Sequence, residues 1–166
     1  MDRLGLRAAR VGEALLALGL AAMVVMVFGN VVLRYAFDSG ITVSEEVSRF
    51  VFVWLTFGGA ILVFAEGGHI AMDTLTARLS QRGQKGCALV SNAAVIGCCV
   101  LMLLGGWKQA LINLGNVAPV SGISKGAIYG AAVVAAVCIG ALAARNVWRL
   151  LRGASAADLA QHAQTD

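Results

Sequence analysis

Residues 65–73, AEGGHIAMD, set Glu66, His69 and Asp73 at i, i+3 and i+7. On one continuous helix these side chains share a face, and Glu-x-x-His is half of a di-iron carboxylate site. A complete site of that kind needs a second Glu-x-x-His and further glutamates, whereas the only other histidine is His162. Covalent catalysis is no better supplied, because no serine or cysteine nucleophile stands nearby with a base and its orienter. Gly67 and Gly68 loosen or end a helix. The cluster therefore reads as the point where an apolar run emerges into water, with no catalytic residue, metal or cofactor expected. Beyond it, HIAMDTLTARL keeps Ile70, Leu75 and Leu79 apolar, an amphipathic stretch suited to lying along a membrane interface.

A second cluster opens the preceding apolar run, in ITVSEEVSRFVFVW, residues 41–54. Thr42 with Glu45 fits a capping box, and Ser44 is an alternative N-cap. Glu45 and Glu46 fall in the first helical turn, where the macrodipole favours negative charge. Arg49 stands four residues after Glu45 and three after Glu46, within reach of either. Two readings stay open: a well-capped helix start, or a polar contact with a partner protein at the outer membrane face.

Long apolar elements must carry these clusters. Of 166 residues, 59% are hydrophobic and 13% charged, against roughly 45–50% and 25% in soluble domains. Mean hydropathy is +0.81. Four segments are long enough to cross a bilayer as helices, with spans at approximately 11–35, 44–66, 86–109 and 123–148. The pattern lacks the strict alternation of a barrel. The expected fold is an all-α membrane protein of four transmembrane helices, one membrane domain over 1–152 and a short polar tail over 153–166. The first run is too long for the apolar region of a signal peptide, so it is expected to be a retained span.

Lys and Arg set the expected orientation. Arg3, Arg7, Arg10, Arg78, Arg82, Lys85, Arg145, Arg149 and Arg152 fall on one side of a four-span layout, against Arg34, Arg49, Lys108 and Lys125 on the other. The positive-inside rule then puts both termini in the cytoplasm. The net charge of +4 is a topology signal on this reading and not a nucleic-acid surface, since aromatics do not interleave with the basic residues. Cys87, Cys98, Cys99 and Cys138 all lie in apolar stretches and read as small packing residues. Asn30, Ser91 and Asn92 are polar groups inside spans, expected to join helices.

No span centre carries Asp, Glu, Lys, Arg or His. Ion-coupled carriers usually hold ionisable groups within the membrane, so the chain alone is a poor transporter. A stand-alone four-helix drug or proton antiporter would have to use Glu13, which lies beside Arg10 at the membrane edge. A haem-bearing anchor subunit would need histidine pairs at helix midplanes, and the spans have none.

The stretches NVVLRYAF, SEEVSRFVFVWLTFGGA and GGHIAMD together resemble the small membrane subunit of tripartite ATP-independent periplasmic (TRAP) transporters, in the order Asn30, Arg34, Tyr35, Glu45, Glu46, Arg49, Trp54, Gly59, Ala60, Gly68, His69 and Asp73. The motifs cover the first half of the chain, and the four-span layout extends the likeness to nearly all of it. Glu66 departs from that pattern, which has a basic residue there. The resemblance implies a small permease, or scaffold, subunit with no substrate site of its own. Its partners would be a large membrane subunit with the substrate and sodium sites, a periplasmic substrate-binding protein and the lipid bilayer of the bacterial inner membrane. It also implies sodium-driven uptake of organic acids such as C4-dicarboxylates, with Arg34, Glu45, Glu46, Arg49, Trp54, His69 and Asp73 as partner-contact or structural residues.

Overall fold

A computed structural model describes residues 3–66 and 81–152, and every structural statement below concerns those residues. They form four helices: α1 (Arg3–Phe37), α2 (Thr42–Ala65), α3 (Gln81–Ile112) and α4 (Gly126–Leu151). Each contains a stretch apolar and long enough to span a membrane: Arg10–Phe37, Thr42–Ala65, Gly83–Ile112 and Gly126–Leu151. The expected all-α fold of four membrane-spanning helices is what forms. Outside the helices, extended pairing among the described residues is confined to one antiparallel bridge, Val117 with Ser124.

The helices run past the apolar spans because water and headgroups do not end a helix. Only a cap or a turn does. α1 closes at Phe37, where Asp38 takes a left-handed backbone (φ 50°) and the Ser39 N–H returns to the Leu33 carbonyl at 3.2 Å. Aspartate tolerates that conformation better than most side chains. α4 begins later than its apolar run suggests, since Ser124 and Lys125 are engaged in the preceding loop.

Packing proceeds from α1 to α2, from α2 to α4, and from α4 to α3. The α1–α2 seam is built from glycine notches on both sides. Leu62 lies against Gly12 and Leu55 against Gly19, while Leu16 of α1 lies against Gly58 of α2. Small residues let helix axes approach, which is how helices associate where lipid is as apolar as leucine. The α3–α4 seam follows the same logic. Cys99 of α3 sits against Gly140 of α4 and Val133 of α4 against Gly106 of α3, while Ala131, Ala135, Ala136 and Ala143 are the buried alanines of α4, which packs on both α2 and α3. The cysteines are free thiols, and Cys99 is a packing residue as its surroundings imply.

One close approach fixes where α4 starts. A Cβ on Gly126 would meet the Ala110 carbonyl oxygen at 3.0 Å and the Leu114 Cα at 3.3 Å. Both are backbone atoms and cannot swing aside. Gly126→Ala is expected to cost about 1–2 kcal/mol through overpacking, visible as a lower melting temperature of the purified chain in detergent. An unchanged melting temperature would show that the α3–α4 corner has slack.

Much large apolar surface stays uncovered. Leu15, Leu18, Val25 and Phe28 on α1, and Val90, Leu101 and Leu104 on α3, are all more than half exposed. A chain this apolar outside as well as inside requires lipid or another protein around it.

Candidate functional site

Among the described residues, a network of polar side chains from α1 and α2 forms at the end where the α1–α2 turn and the α3–α4 loop lie together. Asn30, near the end of α1, is only 6% exposed. Its Oδ1 accepts the Ile41 N–H at 2.7 Å, and its Nδ2 donates to Glu45 Oε1 at 3.2 Å. Arg34, one turn later on α1, reaches the same Oε1 at 3.7 Å. Ser44 donates its hydroxyl to the Met26 carbonyl at 2.9 Å. The first turn of α2 is thus fastened to the last few turns of α1, from Met26 to Arg34, by side chains from both helices.

These contacts replace the capping box expected at Thr42. The helix starts one residue earlier: Ile41 is the N-cap, in extended conformation, and its side chain has nothing to cap with. Thr42 is already helical. Glu45 turns toward Asn30 and Arg34 and away from its own helix end, and Asn30 supplies from another helix the acceptor that a local cap would have given to the Ile41 N–H. Arg49 forms no ion pair with Glu45 or Glu46 among the described residues and is exposed. The Arg34–Glu45 pair, with side chains 70% and 47% exposed, is worth at most about 1 kcal/mol by itself. Its use is to hold one geometry around Asn30.

Glu46 points the other way, into the α3–α4 loop. Its Oε2 accepts the Ser121 N–H at 2.7 Å and the Val120 N–H at 3.3 Å. The loop is ready for that contact because it is internally closed. The Ala118 N–H bonds the Ile123 carbonyl at 2.8 Å, the Gly122 N–H bonds the Ala118 carbonyl at 3.0 Å, and the Lys125 N–H bonds the Asn116 carbonyl at 2.8 Å. Gly122 takes φ 68°, which glycine adopts without strain. Ser124 donates to the Leu114 carbonyl at 2.9 Å and accepts the Gly126 N–H at 3.1 Å, joining loop to helix. With the turn closed, the N–H groups of Val120 and Ser121 face outward, and a carboxylate is their natural partner.

Of the residues singled out from sequence, the structure brings Arg34, Glu45 and Glu46 into this one network. Trp54 lies farther along α2, 46% exposed, at the edge of an open groove with Leu16, Phe50, Leu55 and Ile123. His69 and Asp73 lie outside the described residues. Asn30 joins two helices as expected. Asn92 does not, since its amide returns to the Ala88 carbonyl of its own helix at 2.8 Å. Three participants carried no sequence signal at all: the Met26 carbonyl and the outward N–H groups of Val120 and Ser121, which are backbone groups.

The arrangement fastens and orients. Among the described residues no group of three or more His, Cys, Asp or Glu gathers as a metal site would need. The adjoining groove between α1 and α2 is lined mainly by Val25, Met26, Leu33, Val43 and Val47. What reaches the surface around the network is the guanidinium of Arg34, that of Arg49 and the ring of Tyr35, which is 87% exposed.

Comparison with known proteins identifies the family. The family described as the DctQ component of tripartite ATP-independent periplasmic transporters matches residues 23–153. Two Haemophilus influenzae proteins named as TRAP transporter small permease proteins are 42% and 37% identical to the chain, covering 74% and 75% of it and 76% of each relative. A Vibrio cholerae protein named C4-dicarboxylate TRAP transporter small permease protein DctQ is 32% identical over 64% of the chain and 46% of its own length.

Proposed function

The chain belongs to the DctQ-component family of TRAP transporters, as a multi-pass small permease subunit, and from that premise we propose that it is the fixed scaffold of a sodium-driven organic-acid uptake system. On this reading it lies in the bacterial inner membrane with both termini in the cytoplasm. It packs beside a large membrane subunit that holds the substrate and sodium sites. A periplasmic binding protein delivers the acid. The polar network described above sits at the outer face, where Arg34 and Arg49 meet a partner and Glu45 and Glu46 hold the surface that presents them.

The observation that carries the reading is where the charges lie. In every described helix they sit near the ends: Arg10 and Glu13, then Arg34, on α1; Glu45, Glu46 and Arg49 on α2; Lys85 and Lys108 on α3; Arg145 and Arg149 on α4. The middle of each span offers a substrate anion no counter-charge. The broad exposed apolar surfaces of α1 and α3 suit a subunit that is completed by a larger neighbour. The substrate class is supported by the C4-dicarboxylates in the printed name of the Vibrio cholerae relative.

Reconstitution tests it. Vesicles holding this chain with its large subunit and binding protein should accumulate a C4-dicarboxylate under an inward sodium gradient, and vesicles holding the chain alone should move neither that acid, protons nor cationic drugs. Solute movement by the chain alone would overturn the scaffold reading. Replacing both acids, Glu45→Gln with Glu46→Gln, should lower co-purification with the large subunit or uptake several-fold. Unchanged values of both would remove these acids from the assembly surface.

A further inference from the structure

The C-terminal end of α4 carries a cationic face that the scaffold role does not use. Arg145, Arg149 and Arg152 follow one another at i, i+4 and i+7, so they line one side of the helix. At this end of the helix that side is opposite the buried one: Ala143 and Leu150 are 0% and 4% exposed, whereas Arg145 and Arg152 are exposed and Arg149 is half-buried. None of the three forms an ion pair among the described residues, with Glu66, the carboxylate that ends neighbouring α2, or with any other. The Arg152 guanidinium lies 4.7 Å from the centre of the Trp148 ring. Trp148 and Leu151 are 60% and 69% exposed. Because the helices alternate in direction, Arg10 at the start of α1 and Lys85 at the start of α3 belong to this same end.

From this geometry we propose that the Arg145, Arg149, Arg152 and Trp148 face binds the headgroup of an anionic phospholipid, of the phosphatidylglycerol or cardiolipin type. Guanidinium groups fork onto phosphate oxygens, and an arginine is desolvated more readily than a lysine. Stacking on the indole holds Arg152 in place before the ligand arrives. The apolar surface of Trp148 and Leu151 directly beside the charges selects a ligand that is anionic at one end and hydrocarbon at the other. A lipid has both parts, and a free phosphate ion has one. Long arginine stems at a helix end reach the phosphate level of a bilayer without strain. Each basic residue close to such a surface contributes about a fivefold preference for anionic lipid.

Trp148 supplies the readout. The full chain carrying Trp54→Phe and Trp107→Phe keeps a single indole, at 148. In vesicles of equal brominated mole fraction, brominated phosphatidylglycerol should associate with that indole and quench it at least about fivefold more strongly than brominated phosphatidylcholine. Arg145→Gln, Arg149→Gln and Arg152→Gln together should bring the two lipids to parity. The corresponding three Arg→Lys changes, which keep the charge, should retain most of the preference. If the triple Gln chain does not elute as a folded species, Arg145→Gln alone, at an exposed position, should still reduce the preference several-fold. Equal quenching by the two lipids, or a preference that survives the Gln variants, overturns the proposal. So does abolition of the preference by millimolar inorganic phosphate, which would make the ligand a free anion. Loss of co-purification with the large membrane subunit in a Gln variant whose lipid preference is intact would make this face a protein contact and overturn it too. The fluorescence arms use the chain alone, so their failure is separable from failure of the scaffold reading.

Discussion

Asn30→Ala is expected to be the most damaging single change in this chain. One amide links three groups: it accepts the Ile41 N–H at 2.7 Å, donates to Glu45 at 3.2 Å and is itself 94% removed from solvent by the packing of α1 on α2. Alanine removes both hydrogen bonds. It leaves the part-buried Ile41 N–H without that acceptor, beside a groove lined by Val25, Leu33 and Val43. An unsatisfied buried donor costs about 1–3 kcal/mol, and a hydrogen bond to a charged group is worth about 1.5–3 kcal/mol. Their sum, discounted because Glu45 keeps Arg34, is about 3 kcal/mol. The expected result is a melting temperature lower by several degrees in detergent, with loss of the complex on purification. Asn30→Asp keeps one acceptor but sets a carboxylate against Glu45, and should be no better. Asn92→Ala is the control. That amide bonds only within α3, so its removal should shift the melting temperature little. Similar effects at the two asparagines would mean that Asn30 contributes helix polarity in general and not the α1–α2 fastening.

The second expectation concerns Glu46. Among the described residues it is the side chain that hydrogen-bonds α2 to the closed α3–α4 loop, through Ser121 at 2.7 Å and Val120 at 3.3 Å, across 75 and 74 residues of sequence. Glu46→Ala should leave the internal bonds of the loop intact, since those run between Ala118, Ile123, Asn116 and Lys125. What is lost is the protection of two outward N–H groups. Amide exchange at Val120 and Ser121 should quicken on the order of tenfold or more, as local opening becomes easier, while Ala118 and Lys125 change little. Glu46→Gln keeps an oxygen acceptor without the charge and should fall between. Uniform acceleration over the whole loop would show that the carboxylate holds the fold of the turn and not its position. No change at Val120 and Ser121 would show that the contact does not persist in solution.

The two positions differ in how far they can be read without coordinates. The four helices follow from apolar length alone, and the resemblance carried by residues 30–73 matches the family assignment. Asn30 was legible as a helix-joining group because a lone amide in an apolar span has few other uses. Its partner was not. Local rules gave Glu45 to Thr42 or Arg49, three and four residues away, whereas its contacts are Asn30 and Arg34, fifteen and eleven residues back on another helix. Those rules describe one helix by itself, and α2 is not by itself. Glu46 is the same case at longer range, with a backbone target that no side-chain pattern encodes. Asn92 errs in the opposite sense, because an amide with an i−4 carbonyl in reach can satisfy itself.

The glycine notches of the α1–α2 seam bear on how such a chain is made. Leu16, Leu55 and Leu62 find their sockets within one pair of sequence neighbours, and α3 and α4 meet along their own seam, at Gly106, Gly126 and Gly140. Each pair can close as soon as its second member has left the ribosome and entered the bilayer, the first before the second pair exists. The remaining step is to bring α2 and α4 side by side, which joins two finished halves. Biogenesis two helices at a time is therefore written into where the small residues fall.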